Sequence, residues 1–209
     1  RKMNWEKLSE SIVRAEEQLK LLHEIAELRK NVPSPLYNRA YLETRTPDQL
    51  FAGQPEATVY LTVLRDELAE MVRQGKGAVE PERFRVMSLF IPPMYLISYL
   101  EKQLVAHGAV SVVEPYFTYW PELKLDPSKP LESLAKKYSN TPERRTLYGP
   151  LGDETIDTLV ESAREFKVDG AIYYAFIGCR HSNALIKLIK DQLNELDIPM
   201  LTLDIDLLD

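Results

Sequence analysis

Beyond residue 83 the chain carries four short apolar runs, FRVMSLFI (84–91), AVSVVE (109–114), DGAIYYAFI (169–177) and IPMLTLDI (198–205), with segments of helical character between them. No other feature restricts the fold as much. Runs this short, bounded by turn residues and rich in Val, Ile, Tyr and Phe, read as strands. They are apolar almost throughout, which implies burial on both faces. Parallel neighbours need a crossover, and a helix is the usual one. The expected fold is α/β, a Rossmann- or flavodoxin-like three-layer sandwich with a mostly parallel four-stranded sheet, occupying residues 81–209. Its helices are expected at Met94–His107, Ser128–Ser139, Asp153–Lys167 and Asn183–Leu196.

The first eighty residues read differently. Between Asn4 and Lys30 the apolar positions Leu8, Ile12, Ala15, Leu19, Leu22 and Ala26 recur in steps of four and three. This is one long helix with a narrow seam, widened by Leu21, Ile25 and Leu28, and it lies either along its own chain or in a coiled coil. Pro33, Pro35 and Pro47 mark a connector with short helical turns. A further helix is expected over Pro55–Gln74, closed by Gly75 and Gly77. Residues 1–80 are thus a helical lead-in to the α/β domain.

Several function classes are excluded at this level. The formal charge of −6 argues against nucleic acid, whose binding needs surplus Lys and Arg, yet leaves room for a phosphorylated small ligand met by local positive charge. No run reaches the roughly 18 apolar residues of a membrane helix, and the N-terminus lacks a signal-peptide core, so the expectation is a cytoplasmic chain with no membrane contact. No Gly-x-Gly-x-x-Gly or Walker motif follows a strand, and Pro92-Pro93 after the first strand cannot donate N–H groups to a pyrophosphate. His23-Glu24-Ile25-Ala26-Glu27 ends in Glu where a zinc-protease helix requires His.

The chain has one cysteine, Cys179, which excludes an internal disulfide, and His23, His107 and His181 cannot join it in a zinc site by local spacing. With strand order 2-1-3-4 the order of the strands reverses between the loop Ile91-Pro92-Pro93 and the loop Gly178-Cys179-Arg180-His181. Ligands of open α/β sheets bind at such a reversal. A thiol at a helix start there favours its thiolate, which suits nucleophilic attack, redox sensing or metal ligation. The plainer alternative is a small buried residue that ends a strand. Ser182 and Asn183 are substrate-binding candidates or simple helix caps. Glu114 and Tyr116, at the end of the second strand, are substrate-binding candidates too. The aromatics beside them, Phe117, Tyr119 and Trp120, line an acyl pocket or pack against another domain. Arg180 either pairs with a phosphate or faces solvent, and Glu143-Arg144-Arg145 reads as solvated surface. Asp204 and Asp206 share one face of the last strand, as an acid pair or as loop caps.

Taken in order, the segments HEIAELRKNVPSP, AHGAVSVVEPYF, LESLAKKYSN, KVDGAIYYAFIGCRHSN and LDIPMLTLDIDLLD resemble the C-terminal domain of the 2-hydroxyacyl-CoA dehydratase and benzoyl-CoA reductase family. Val168-Asp169-Gly170, Cys179, Ile198-Pro199 and Asp204-Ile205-Asp206 stand at the matching places. The resemblance implies an oxygen-sensitive 4Fe-4S cluster, or a related iron-sulfur cluster, held by cysteines from two Rossmann-like domains, with Cys179 as one metal ligand. It implies an acyl-CoA substrate, a second homologous subunit, and an ATP-dependent activator iron-sulfur protein that supplies a low-potential electron. The thioester is then reduced to a ketyl radical, leading to loss of a hydroxyl group or to ring reduction. Two departures stand out. Phe117 and Glu143 occupy positions where some members carry cysteine, and one thiol is fewer than the three or four that such a cluster needs. The expectation is a C-terminal piece of a longer two-domain subunit, inactive and without a stable cluster by itself. A non-catalytic scaffold or partner-binding subunit of the same fold is the alternative, and a thiol enzyme pairing Cys179 with His181 is a third reading.

Overall fold

Strand β1 (Phe84–Leu89) is hydrogen-bonded to β2 (Ala109–Val113) on one side and to β3 (Gly170–Phe176) on the other, with β4 (Met200–Ile205) beyond β3. All three pairings are parallel, and the order β2-β1-β3-β4 is the one on which the ligand-crevice argument rests. The structure is a computed structural model that describes residues 2–37, 40–117, 120–142, 144 and 153–206.

Alternation along the strands sorts the sheet into two faces. On one, Met87 and Leu89 of β1, Val110 and Val112 of β2, and Ala171, Tyr173 and Ala175 of β3 form a continuous core. Two helices close over them. Helix α6 (Asp153–Glu165) brings Leu159 and Ala163, and α7 (Arg180–Asn194) brings Leu185, Ile189 and Leu193, a spacing of four that builds one apolar stripe. On the opposite face, Ser88, Ser111 and Tyr174 lie beneath α4 (Ile97–Ala106) and the end of α1 (Trp5–Arg29). The three layers follow from this division.

Helix α1 starts where Asn4 accepts a hydrogen bond from the Lys7 N–H at 3.0 Å. Its seam packs on α3 (Pro55–Arg73) rather than in a coiled coil: Ile12, Leu19, Leu22 and Ile25 are buried with Leu61 and Leu68. Trp120 and Leu125 join the same cluster, so this second core draws on residues from both sides of position 80. Helix α5 (Pro130–Ser139) also packs on α1.

The connector is more regular than its prolines predict. Residues Ala40–Leu50 form one helix, α2, with Pro47 inside it. The proline removes a single backbone donor, and the helix is held across it by tertiary contacts: Arg45 donates to the Phe117 carbonyl at 3.3 Å and Asp48 pairs with Lys137 at 2.9 Å. Helix α7 likewise starts three residues earlier than its apolar stripe indicates, which places Cys179 itself at the N-cap. No helix among the described residues is long and apolar enough to cross a membrane.

Candidate functional site

The turn after β3 is built by its backbone. Gly178 has φ +89°, a left-handed conformation that an L side chain rarely adopts, and it reverses the chain so that Cys179 enters α7 in an extended conformation. The Cys179 thiol is exposed. The Ser182 hydroxyl is the largest influence lowering its pKa, followed by the backbone N–H of Ser182 and, more weakly, that of His181, while partial burial opposes them. These donors stand in the first turn of a helix, where N–H groups without intrahelical partners stabilise an anion. The position therefore favours a thiolate and leaves it accessible.

Ser182 and Asn183 hold this turn from inside. The Ser182 hydroxyl donates to the Cys179 carbonyl at 3.2 Å, and the Asn183 amide donates to the Phe176 carbonyl at 3.2 Å. Neither is the N-cap, because the helix has already begun at Arg180. Ser182 is buried whereas Asn183 is exposed, so Asn183 presents more of its surface to an incoming ligand. Arg180 and His181 are exposed beside them.

A chain of aromatic contacts joins this turn to the end of β2. The Tyr173 hydroxyl donates to the Ser182 carbonyl at 2.6 Å. Its ring lies 4.8 Å from that of Phe90, which in turn lies 5.7 Å from that of Tyr116, both tilted. Phe90 follows β1 with φ +64°, a strained conformation for a bulky residue. The Tyr116 hydroxyl is fully buried and has no hydrogen-bond partner among the described residues, and burial raises its pKa. Burial raises that of Tyr173 as well. Both phenols are thus neutral and available only as hydrogen-bond donors or acceptors.

Glu114 is engaged elsewhere. Arg29 donates from Nη1 to Oε2 at 2.9 Å and from Nη2 to Oε1 at 3.2 Å, and the Ser111 hydroxyl donates to Oε1 at 2.9 Å. The acid faces the lead-in helix, and Tyr116, two residues on, faces the aromatic cluster. Of the aromatics beside them, Phe117 and Trp120 are buried, Trp120 in the second core under Lys137. Tyr119, Glu143 and Arg145 lie outside the described residues. Asp204 and Asp206 are exposed at the end of β4.

The structure places Cys179 at the turn after β3 and Tyr116 just past β2, where the sequence pattern puts them, and it adds the contacts of Phe90, Tyr173 and Arg29, which that pattern does not signal. Phe90 and Tyr173 read as ordinary strand residues, and only the three-dimensional path shows that they connect the two loops. Among the described residues no three His, Cys, Asp or Glu side chains group as a metal site. Cys179 offers one thiolate, so these residues do not fit a complete iron-sulfur cluster; they fit one corner of one.

A family model described as 2-hydroxyglutaryl-CoA dehydratase, D-component, matches residues 1–209. A benzoyl-CoA reductase component from Thauera aromatica is 25% identical over 178 residues, covering 77% of this chain and 39% of that protein. The chain thus matches well under half the length of this curated relative. It belongs to the 2-hydroxyglutaryl-CoA dehydratase D-component family.

Proposed function

We propose that this chain, as a member of that family, supplies the α/β domain of an iron-sulfur enzyme that transforms an acyl-CoA, by radical dehydration of a 2-hydroxyacyl-CoA or by reduction of benzoyl-CoA. Cys179 furnishes one ligand to a 4Fe-4S or related cluster, and the remaining thiolates come from elsewhere in the assembled enzyme. A homologous subunit and an ATP-dependent activator iron-sulfur protein complete that assembly, and residues 1–80 act as the helical lead-in. The observation that carries the reading is the exposed thiol at the sheet's reversal, on a helix start that lowers its pKa. Family membership and the relative's name supply the substrate class.

Within this reading the chain's own residues hold and orient. Gly178, Ser182 and Tyr173 fix the direction of the Cys179 side chain. Asn183 offers a polar contact to a thioester carbonyl at the same edge, and Tyr116 offers a neutral hydroxyl behind it. Glu114 contributes indirectly, by fastening the strand end that carries Tyr116. The test is anaerobic reconstitution of the natural full-length protein with iron and sulfide. Cys179→Ala is expected to lose iron and the visible absorbance of the cluster while keeping its helix content. An unchanged cluster signal in the variant would overturn the ligand role.

One observation favours a second reading, a non-catalytic partner-binding subunit: Cys179 is the chain's single thiol, and among the described residues no three His, Cys, Asp or Glu side chains group as a metal site. A full-length protein that binds its subunit partners normally and takes up no iron in wild-type form would establish that reading instead.

A further inference from the structure

A second feature of the same sheet edge has no role in the cysteine site. Between α2 and α5, over the ends of β1 and β2, lies a cavity of about 610 Å3, within the range of small-molecule sites. Ile91 and Phe117, which follow those two strands, form part of its lining. Its charged lining comprises Arg45, Lys137, Arg144 and Asp48. The described lining therefore holds three cations and one acid, in a chain whose formal charge is −6.

Each of these cations lies against an aromatic ring. The Arg45 guanidinium is buried, lies 5.7 Å from the Phe117 ring centroid and donates to the Phe117 carbonyl at 3.3 Å. Lys137 sits 4.9 Å from the Trp120 ring centroid and pairs with buried Asp48 at 2.9 Å. The Arg144 guanidinium stacks on Tyr138 at 3.5 Å. Cations placed over aromatic faces keep most of their positive field while losing rotamer freedom, which lowers the entropic cost of gripping an anion. Guanidinium pairs of this kind suit phosphate oxygens, and the apolar part of the lining suits a ring or chain attached to them.

We propose that this cavity binds a phosphate ester with a flat or apolar body, Arg45, Lys137 and Arg144 meeting its anionic end. The phosphate-bearing part of a CoA thioester and a free adenine nucleotide share that chemistry. Assigning the first of these rests on the function proposed above; phosphate binding itself does not.

Titration calorimetry of the 209-residue chain with CoA, ADP and pantetheine separates the cases. CoA or ADP is expected to bind more weakly as ionic strength rises, and pantetheine, which has no phosphate, at least tenfold more weakly than CoA. Lys137→Met and Arg144→Ala should each weaken binding about tenfold, with circular dichroism unchanged. Asp48→Asn, which removes the only acid of the described lining, should tighten it severalfold, a gain that damage to the fold cannot mimic. Binding of CoA but not ADP identifies the thioester's phosphates, and equal binding of both identifies a nucleotide site. The proposal is overturned if neither phosphate compound binds, if pantetheine binds as tightly as CoA, or if the two cation variants bind like wild type. If it falls while the full-length protein still builds its cluster through Cys179, the functional reading stands without it.

Discussion

Arg29 and Glu114 form a two-pronged ion pair, each side chain 3% exposed, that fastens the last turn of the lead-in helix to the end of β2. The same residue is held from the other direction, because Arg85 of β1 donates to the Arg29 carbonyl at 3.1 Å. Taking two charges out of water is costly, and removing one partner leaves that cost without its compensation. Glu114→Gln or Arg29→Met alone should destabilise the chain by about 3–5 kcal/mol in urea denaturation. The double variant Arg29→Met/Glu114→Met should recover most of that loss. Simple addition of the two single effects would show that the pair is not coupled.

The depressed pKa of Cys179 predicts its reactivity. Alkylation by iodoacetamide should reach half its maximal rate below pH ~8.5, the ordinary value for a free thiol. Ser182→Ala removes the main cause of the shift and should move the midpoint upward, and the urea-unfolded chain should return to the ordinary value. The sign is fixed: a lowered folded-state pKa means thiolate persists at lower pH, and the linked preference for the folded state fades as pH falls through that value. A midpoint unchanged by Ser182→Ala would show that the hydroxyl does not act on the thiol.

Tyr116 and Tyr173 should respond oppositely to loss of their hydroxyls. The Tyr116 hydroxyl is buried without a partner among the described residues, so Tyr116→Phe should be neutral or stabilising by about 1 kcal/mol. Tyr173→Phe removes the bond to the Ser182 carbonyl, costing about 1 kcal/mol. Chemical denaturation of both variants tests the contrast. A destabilised Tyr116→Phe would point to a bound group that satisfies the hydroxyl.

Gly178 tests the turn alone. Among the described residues, no atom beyond its two chain neighbours lies within 4 Å of a Cβ added there, so Gly178→Ala is expected to meet the penalty of φ +89°, about 1–2 kcal/mol. Gly178→Asn should cost less, since Asn tolerates positive φ better. Thermal melts would reveal equal costs if steric contact, rather than backbone conformation, governed the site.

The sheet was legible because its information is local. Each apolar run announces a strand, each intervening stripe a helix, and the single thiol at the third strand's end fixes where to look for a site. What stayed hidden is long-range. Glu114 carries no local sign that its partner is Arg29, 85 positions earlier. The strain at Phe90 is a property of how β1 leaves the sheet, and nothing in Phe90-Ile91-Pro92 encodes a positive φ. Pro47 argues against a helix that the long-range contacts of Arg45 and Asp48 nonetheless hold. Ser182 reads as a cap because serine so often is one, whereas here the helix starts before it.

The strand order has a last consequence, for self-association. Of the two outer strands, β2 is fully covered, whereas β4 leaves Leu201 56% exposed and has a parallel neighbour on one side only in the described sheet. A bare strand margin invites docking by another copy's strand, and a charged residue on it discourages that. Asp204, exposed near the end of β4, is placed to do so. Neutralising it is expected to make that margin more prone to pair with a second copy's strand, a consequence separate from any chemistry of the acid.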